Sequence, residues 1–308
     1  MAIILDQKVK VTKKGKSFYY TDLLRALVEA QYYAQNGGHV ASMPELLRGR
    51  VISPADNELW TKYFTALSEE NVGRTPAGSA VLVTVHGGGV LSTPERIAKE
   101  YKEQSMLPCV AKFTAQEFKD VVEGKLPDGT QLPVYSFSDL KKGVKDLPLR
   151  CAVVMDFETA QKTYPGYQLI DKLYDNPLVI VRAGGVEQAK AFLDKAKRVY
   201  DSKKLGNWHR FGDVDIEQSQ GRLLFLGHVE DIGLDGYSHL YYGGRFFGVA
   251  PEVLAQVSVR KVPRGNVESA RASARTGPTI DELLADAKDF VAPAAWAAFE
   301  EKVRARYQ

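Results

Sequence analysis

The sequence predicts an α/β or α+β protein: a mixed sheet flanked by helices, with a helical N-terminal region, a hairpin-rich third quarter and a C-terminal helical pair. Three observations carry this expectation. Apolar runs of strand length, such as Ala80–Val85 and Cys151–Met155, alternate with segments whose apolar residues keep helical spacing. Helix starts are marked by capping-box spacing at Ser42–Glu45, Thr114–Glu117 and Thr279–Glu282. Glycine pairs and Pro-Asp-Gly clusters separate the segments.

In order along the chain, residues 2–12 (AIILDQKVKVT) read as a strand ended by Lys13-Lys14-Gly15. Thr21 caps a helix that Asn36-Gly37-Gly38 stops, and a short helix follows Ser42 with Pro44 in its first turn. Another helix is expected after Ser53-Pro54, carrying Leu59, Trp60, Tyr63, Phe64 and Leu67, so residues 1–75 read as mostly helical.

Alternation then sets in. A strand over Ala80–Val85 leads to a helix over Pro94–Glu103, and a short strand over Cys109–Phe113 to a helix from Thr114 to near Gly124. A strand over Leu132–Phe137 precedes a short helix over Ser138–Val144. Cys151–Met155 and Leu178–Val181 read as buried strands, the second running through Ala183-Gly184-Gly185 into the helix VEQAKAFLDKAKRVY. Arg222–His228 is strand-like, and Tyr237–Tyr242 with Arg245–Val249 reads as a hairpin about Gly243-Gly244. Val257–Val262 is a last strand. The division that follows is 1–75, an α/β core with its hairpin extension at 76–262, a strap at 263–277, and C-terminal helices at 278–308.

The bulk properties exclude several classes. A chain of 308 residues that is 44% hydrophobic and 26% charged has the balance of a globular protein of one or two domains. A net charge of +3 is too small to argue for nucleic-acid or membrane-surface binding. Cys109 and Cys151 sit in apolar runs and cannot form a disulfide framework, which points to a reducing, cytoplasmic setting. No run approaches the length of a membrane span, and no signal peptide is visible.

The first candidate site is the stretch VLVTVHGGGVLSTPERI, a strand, three glycines and a helix start. Free amides at a helix N-terminus and glycine's open backbone make such corners anion receptors. His86 and the amides of Gly87, Gly88 and Gly89 are therefore candidates, with Ser92 or Thr93 as the helix cap. The corner matches neither the phosphate-loop nor the dinucleotide pattern. His86-Gly87-Gly88-Gly89 resembles the oxyanion-hole loop of lipase-like esterases of the α/β-hydrolase fold. Those enzymes need a G-x-S-x-G nucleophile elbow, and Gly236-Tyr-Ser-His-Leu240 fails at the final glycine, so the activity is not carried over. Arg182, Gly184 and Gly185 form a second glycine corner, which would share a ligand edge with the first if both strands were parallel neighbours.

The second candidate region is 205–252, which holds three of the five histidines, among them His228 and His239, beside Glu230 and several aspartates. Imidazole and carboxylate together suit acid–base or metal chemistry, and catalytic roles are assigned here to His86, His228, Glu230 and His239. The spacing matches no metal motif, so metal and cofactor stay unknown. Tyr241, Tyr242, Arg245, Phe246 and Phe247 read as core on one face or as a subunit contact. The function expected first is binding or conversion of a small anionic ligand, phosphorylated compounds included. A self-assembling shell, capsid or filament subunit is the alternative, and nucleic-acid binding the third reading.

Overall fold

The architecture is that of a computed structural model, which describes residues 12–252 except 36, 104–109, 145–146, 201–202, 229–232 and 237–242, together with Arg304. By internal contacts the chain divides into a unit over Met1–Leu254 and another over Ala255–Gln308. The fold below belongs to the first. It is α+β, with a large mixed sheet and flanking helices.

The chain opens with β1 (Thr12–Tyr20), α1 (Leu23–Tyr33) and β2 (His39–Val40). Next come α2 (Met43–Ile52), α3 (Glu58–Thr61) and the hairpin of β3 (Phe64–Arg74) and β4 (Ala80–His86). A 3-10 turn at Val90–Ser92 leads to α4 (Pro94–Glu103), followed by β5 (Ala111–Lys112) and α5 (Ala115–Val122). Then come β6 (Val134–Ser136), α6 (Phe137–Lys141), β7 (Cys151–Asp156), α7 (Phe157–Gln161) and β8 (Gly166–Leu169). The helices α8 (Pro177–Ala183) and α9 (Val186–Val199) precede β9 (Lys204–Trp208), β10 (Gln220–Leu226), β11 (Gly233–Asp235) and β12 (Gly244–Glu252).

The large sheet runs β6-β7-β4-β3-β10-β11-β9-β8, with β5 on β10. The β6–β7 and β11–β9 pairs are parallel and the others antiparallel. A smaller sheet sets β12 between β1 and β2.

Along its central strands both faces of the large sheet are buried, and the period-two rule shows how. Along β4, Leu82 faces one apolar cluster while Val81, Val83 and Val85 face the other. Along β10, Leu224 and Leu226 join the first cluster, Leu223 and Phe225 the second. The first cluster includes residues of α2, α8 and α9, with Trp60 stacked on Phe192 at 6.2 Å. The second includes α1, whose Leu23, Ala26, Leu27 and Ala30 follow helical spacing, and residues of α5.

Several expectations hold. The strand at Ala80 and the helix over Pro94–Glu103 form as read, and both the Ser42 and Thr114 capping boxes close. Five local readings are corrected. Lys13-Lys14-Gly15, expected to end a strand, lie within β1, and Asp22 and not Thr21 caps α1, its Oδ1 accepting from the Leu24 amide. Leu178–Val181 is helical: Asn176 Oδ1 accepts from the amides of Leu178 and Val179, Pro177 fills the first turn, and Gly184 ends the helix at φ 80°. Every residue of α8 from Leu178 to Ala183 is buried, so its apolar run carries no amphipathic period to separate it from a buried strand. The helix expected through Leu67 stops at Thr61; Lys62 is already extended, and β3 begins at Phe64. Gly243 and Gly244 do not form a positive-φ turn. Gly244 instead lets β12 approach α1, since a Cβ there would lie 2.6 Å from Leu23 Cδ1. The described neighbours of β12 are β1 and β2. The strand readings at 2–11 and 257–262, the Tyr237–Tyr242 arm, the strap and the C-terminal helices lie outside the described residues, as does Cys109.

Candidate functional site

The glycine corner is built on an unexpected element. β3 carries Leu67-Ser68-Glu69-Glu70-Asn71 through the centre of the sheet, and all five are buried. Buried polar groups need partners, and each of the four polar residues in this run finds one.

Ser68 and His86 are register partners. Ser68 Oγ accepts from the Met43 amide (2.9 Å), so its own proton points to His86 Nδ1 at 2.9 Å. His86 Nε2 then carries the ring proton and donates to the Val181 carbonyl at 3.0 Å. The ring is 1% exposed, and burial lowers its pKa to about 4. His86 is a neutral histidine with both nitrogens engaged inside the protein. That replaces the catalytic role read from the sequence.

The Gly87 and Gly88 amides both donate to the Leu67 carbonyl, at 2.9 and 3.1 Å, through left-handed φ values of 75° and 107°. The anion of the corner is the protein's own. Glu69 accepts from the amides of Val90 (2.9 Å) and Leu91 (2.7 Å) and from Asn71 Nδ2 (2.9 Å). Burial raises its carboxyl pKa, opposed by these donors and by Arg96. Gly89 sits against it, where a Cβ would stand 2.2 Å from Glu69 Oε1. Ser92 Oγ donates to the Gly89 carbonyl at 2.6 Å, while the Thr93 carbonyl accepts from Arg96 and Ile97. Thr93, with Pro94 after it, is therefore the residue that opens α4.

Glu70 faces the second corner. Arg182 grips it with two bonds, Nε to Oε1 at 2.7 Å and Nη2 to Oε2 at 2.8 Å, and both side chains are fully buried. Its remaining donors go to Asn207 Oδ1 (2.8 Å), the Leu234 carbonyl (2.8 Å) and the Trp208 carbonyl (3.1 Å). All five guanidinium donors are used. Arg182 thus ties α8 to β3, β9 and β11 and has no donor left for a ligand. Gly184 and Gly185 join helix to helix, not strand to helix: their amides donate to Val181 and Ile180, closing α8. Even so, His86 and Gly184 do border one small cleft.

In the 205–252 region, His209 is 6% exposed and stacked on Phe211 at 4.5 Å. Its Nε2 lies within bonding distance of Thr163, and its Nδ1 accepts from the Phe211 amide at 3.3 Å. Burial, with the nearby Arg182 charge, lowers its pKa to about 4. His228 is half-buried just beyond β10; Glu230 and His239 lie outside the described residues. Phe246 is core, while Arg245 stacks over Tyr19 (4.7 Å) and Tyr63 (5.7 Å). Asp156 caps α7 and Glu158 pairs with Lys162. Burial pushes the Cys151 thiol up to about 11, away from reactive thiolate. Among the described residues, no group of three or more His, Cys, Asp and Glu could hold a metal ion.

The two low histidines set an acid limit. Each favours the neutral form in the fold, so the stability they contribute is present above the ordinary histidine pKa near 6.5 and is lost as pH falls towards 4. For His86 the loss amounts to up to about 3 kcal/mol. Glu69, with its raised pKa, acts in the opposite sense. Urea titrations between pH 7 and 4.5 should show falling stability, and His86→Gln, which can keep both hydrogen bonds without titrating, should flatten the slope. An unchanged slope would contradict the assignment of the ring.

A surface that the sequence reading missed lies at the end of the large sheet. On the terminal strand β8, Tyr167 (46% exposed) meets Trp208 of β9 edge-on at 5.4 Å, and Tyr164 (63% exposed) precedes it. Gly166 and Gly233 lie against the indole. The available signal was Tyr167 and Leu169 alternating in a short strand, where both proved to point outward.

No family model matches the chain, and no curated protein matches it. A solved structure does: a chain described under the words "Accommodation of massive sequence variation in Nanoarchaeota by the C-type lectin fold". The likeness has a TM-score of 0.61 and 28% identity over 77% of this chain and 98% of that one. Among the described residues, no helix is long and apolar enough to cross a membrane.

Proposed function

We propose that this chain is a recognition protein: a C-type-lectin-like scaffold that binds a partner molecule on an open face formed by β8, β9 and β11. The single observation that carries the reading is the likeness to a chain whose fold is described as accommodating massive sequence variation. A surface tolerates variation only when the fold is held elsewhere. Here the holding is internal: Glu69, Glu70, His86 and Arg182 all bond within the protein. Exposed Tyr164 and Tyr167, with Trp208 behind them, supply the rigid aromatic area that recognition surfaces favour. The strap at 263–277 and the Tyr237–Tyr242 arm of the aromatic hairpin, on which the self-assembly and nucleic-acid readings rest in part, lie outside the described residues.

Screening the full chain on glycan and peptide arrays tests this. Array ligands should lose about 30-fold or more in affinity for the Tyr167→Ala/Trp208→Ala pair, with Tyr32→Ala, exposed on α1, as a surface control. Undiminished binding by the double variant would place the site elsewhere. Catalytic turnover of an array compound would reject the recognition reading.

A further inference from the structure

We propose that the cleft between α2 and the α8–α9 corner is a binding site for a small oxyanion, a phosphate or a carboxylate. The cleft measures about 110 Å³, room for an ion of four or five heavy atoms. Its polar wall is made by Ser42, Arg48 and Gln188, and its floor by His86, Cys151 and Gly184.

Ser42 Oγ donates to Glu45, but the donors of Gln188 and Arg48 are uncommitted. Gln188 Nε2 is buried and has no hydrogen-bond partner among the described residues, a costly state unless something accepts from it. Arg48 is exposed at the rim and carries no ion pair among the described residues. No lining residue is acidic. The remaining ionisable groups are held neutral: His86 by its two internal bonds and Cys151 by burial.

Backbone geometry adds to this. Gly185 opens the 14-residue α9 with no side-chain cap, and the space where its Cβ would lie is empty. The first-turn amides and dipole of that helix favour negative charge beside it. Glu187 on the same turn opposes this, but it is exposed and not part of the cleft wall. Glu45, behind Ser42, is already bonded to His39 and Ser42. The ligand is thus a negatively charged hydrogen-bond acceptor small enough to bridge the Gln188 amide and the Arg48 guanidinium.

The test titrates the full chain with sodium phosphate and, separately, sodium acetate at constant ionic strength in chloride, read by calorimetry and thermal melting. At least one anion should give a saturable response, and the responding arm identifies a tetrahedral or planar ligand. Arg48→Ala/Gln188→Leu should weaken it by about tenfold or more while melting unchanged in chloride. No saturable response to either anion, or a response that the double variant keeps, overturns the site.

Discussion

Arg182→Met is expected to cost about 3–5 kcal/mol of stability, because it leaves the Glu70 carboxylate buried without a countercharge. The methionine fills much of the arginine's volume, so lost packing is a minor part of the effect. What disappears is the bidentate grip on Glu70 and three further bonds to Asn207, Leu234 and Trp208. The replacement Arg182→Lys should be nearly as damaging, since a single ammonium cannot reproduce the planar fork. Replacing both partners, Arg182→Met with Glu70→Gln, should recover part of the loss by removing the orphaned charge. Guanidinium denaturation of the parent, Arg182→Met, Glu70→Gln and the double variant measures the coupling. A loss below about 1 kcal/mol for Arg182→Met would mean that the pair does not hold the sheet together.

Gly89→Ala is expected to cost about 2–3 kcal/mol as an overpacked site, although backbone conformation does not demand glycine there. Its φ is −129°, an extended value open to any residue. The obstacle is the Glu69 carboxylate, 2.2 Å from where the methyl would stand and held on three sides by Val90, Leu91 and Asn71. Glu69→Ala should also destabilise, by about 1–3 kcal/mol, through the amides left without an acceptor. The two changes act on the same contact, so the double variant should lose less than the sum. Additive losses would show that Gly89 serves something other than the carboxylate.

The sequence made the outer walls of this fold legible and hid its interior wiring. α4 was readable because Thr93-Pro94 and the glycines before it specify a start in only a few residues. β4 was readable because its apolar run is short and bounded. α8 was not, since a helix buried on every side shows no amphipathic period. The central run Ser68-Glu69-Glu70-Asn71 was hardest: four polar residues in a row argue for a solvated segment, and only the three-dimensional arrangement supplies their partners. That run also explains the site. The glycine corner does hold a carboxylate, but on the amides of Val90 and Leu91 and not on those of Gly87 and Gly88, and that carboxylate comes from β3, eighteen residues before Gly87. Arg182 and Gly184 were likewise noticed for good chemical reasons, yet the guanidinium serves Glu70 and the glycine ends a helix. The aromatic face at Tyr167 and Trp208 escaped because outward-facing apolar residues in a strand look the same, in one dimension, as inward-facing ones.

The pairing of β1 with β12 bears on how the chain is made. Thr12 is aligned with Glu252 and Tyr20 with Gly244, so β1 leaves the ribosome well before its neighbour and finds it only about 240 residues later. α1 leans on the same strand: Gly248 lies against Ala30 and Tyr33, and Gly244 against Leu23. Until β12 is synthesised, the apolar stripe Leu23, Ala26, Leu27 and Ala30 has part of its cover missing. Synthesis therefore holds an early amphipathic helix in waiting, exposed to chaperones and to other nascent chains. Completion of the small sheet is a late event governed by long-range closure.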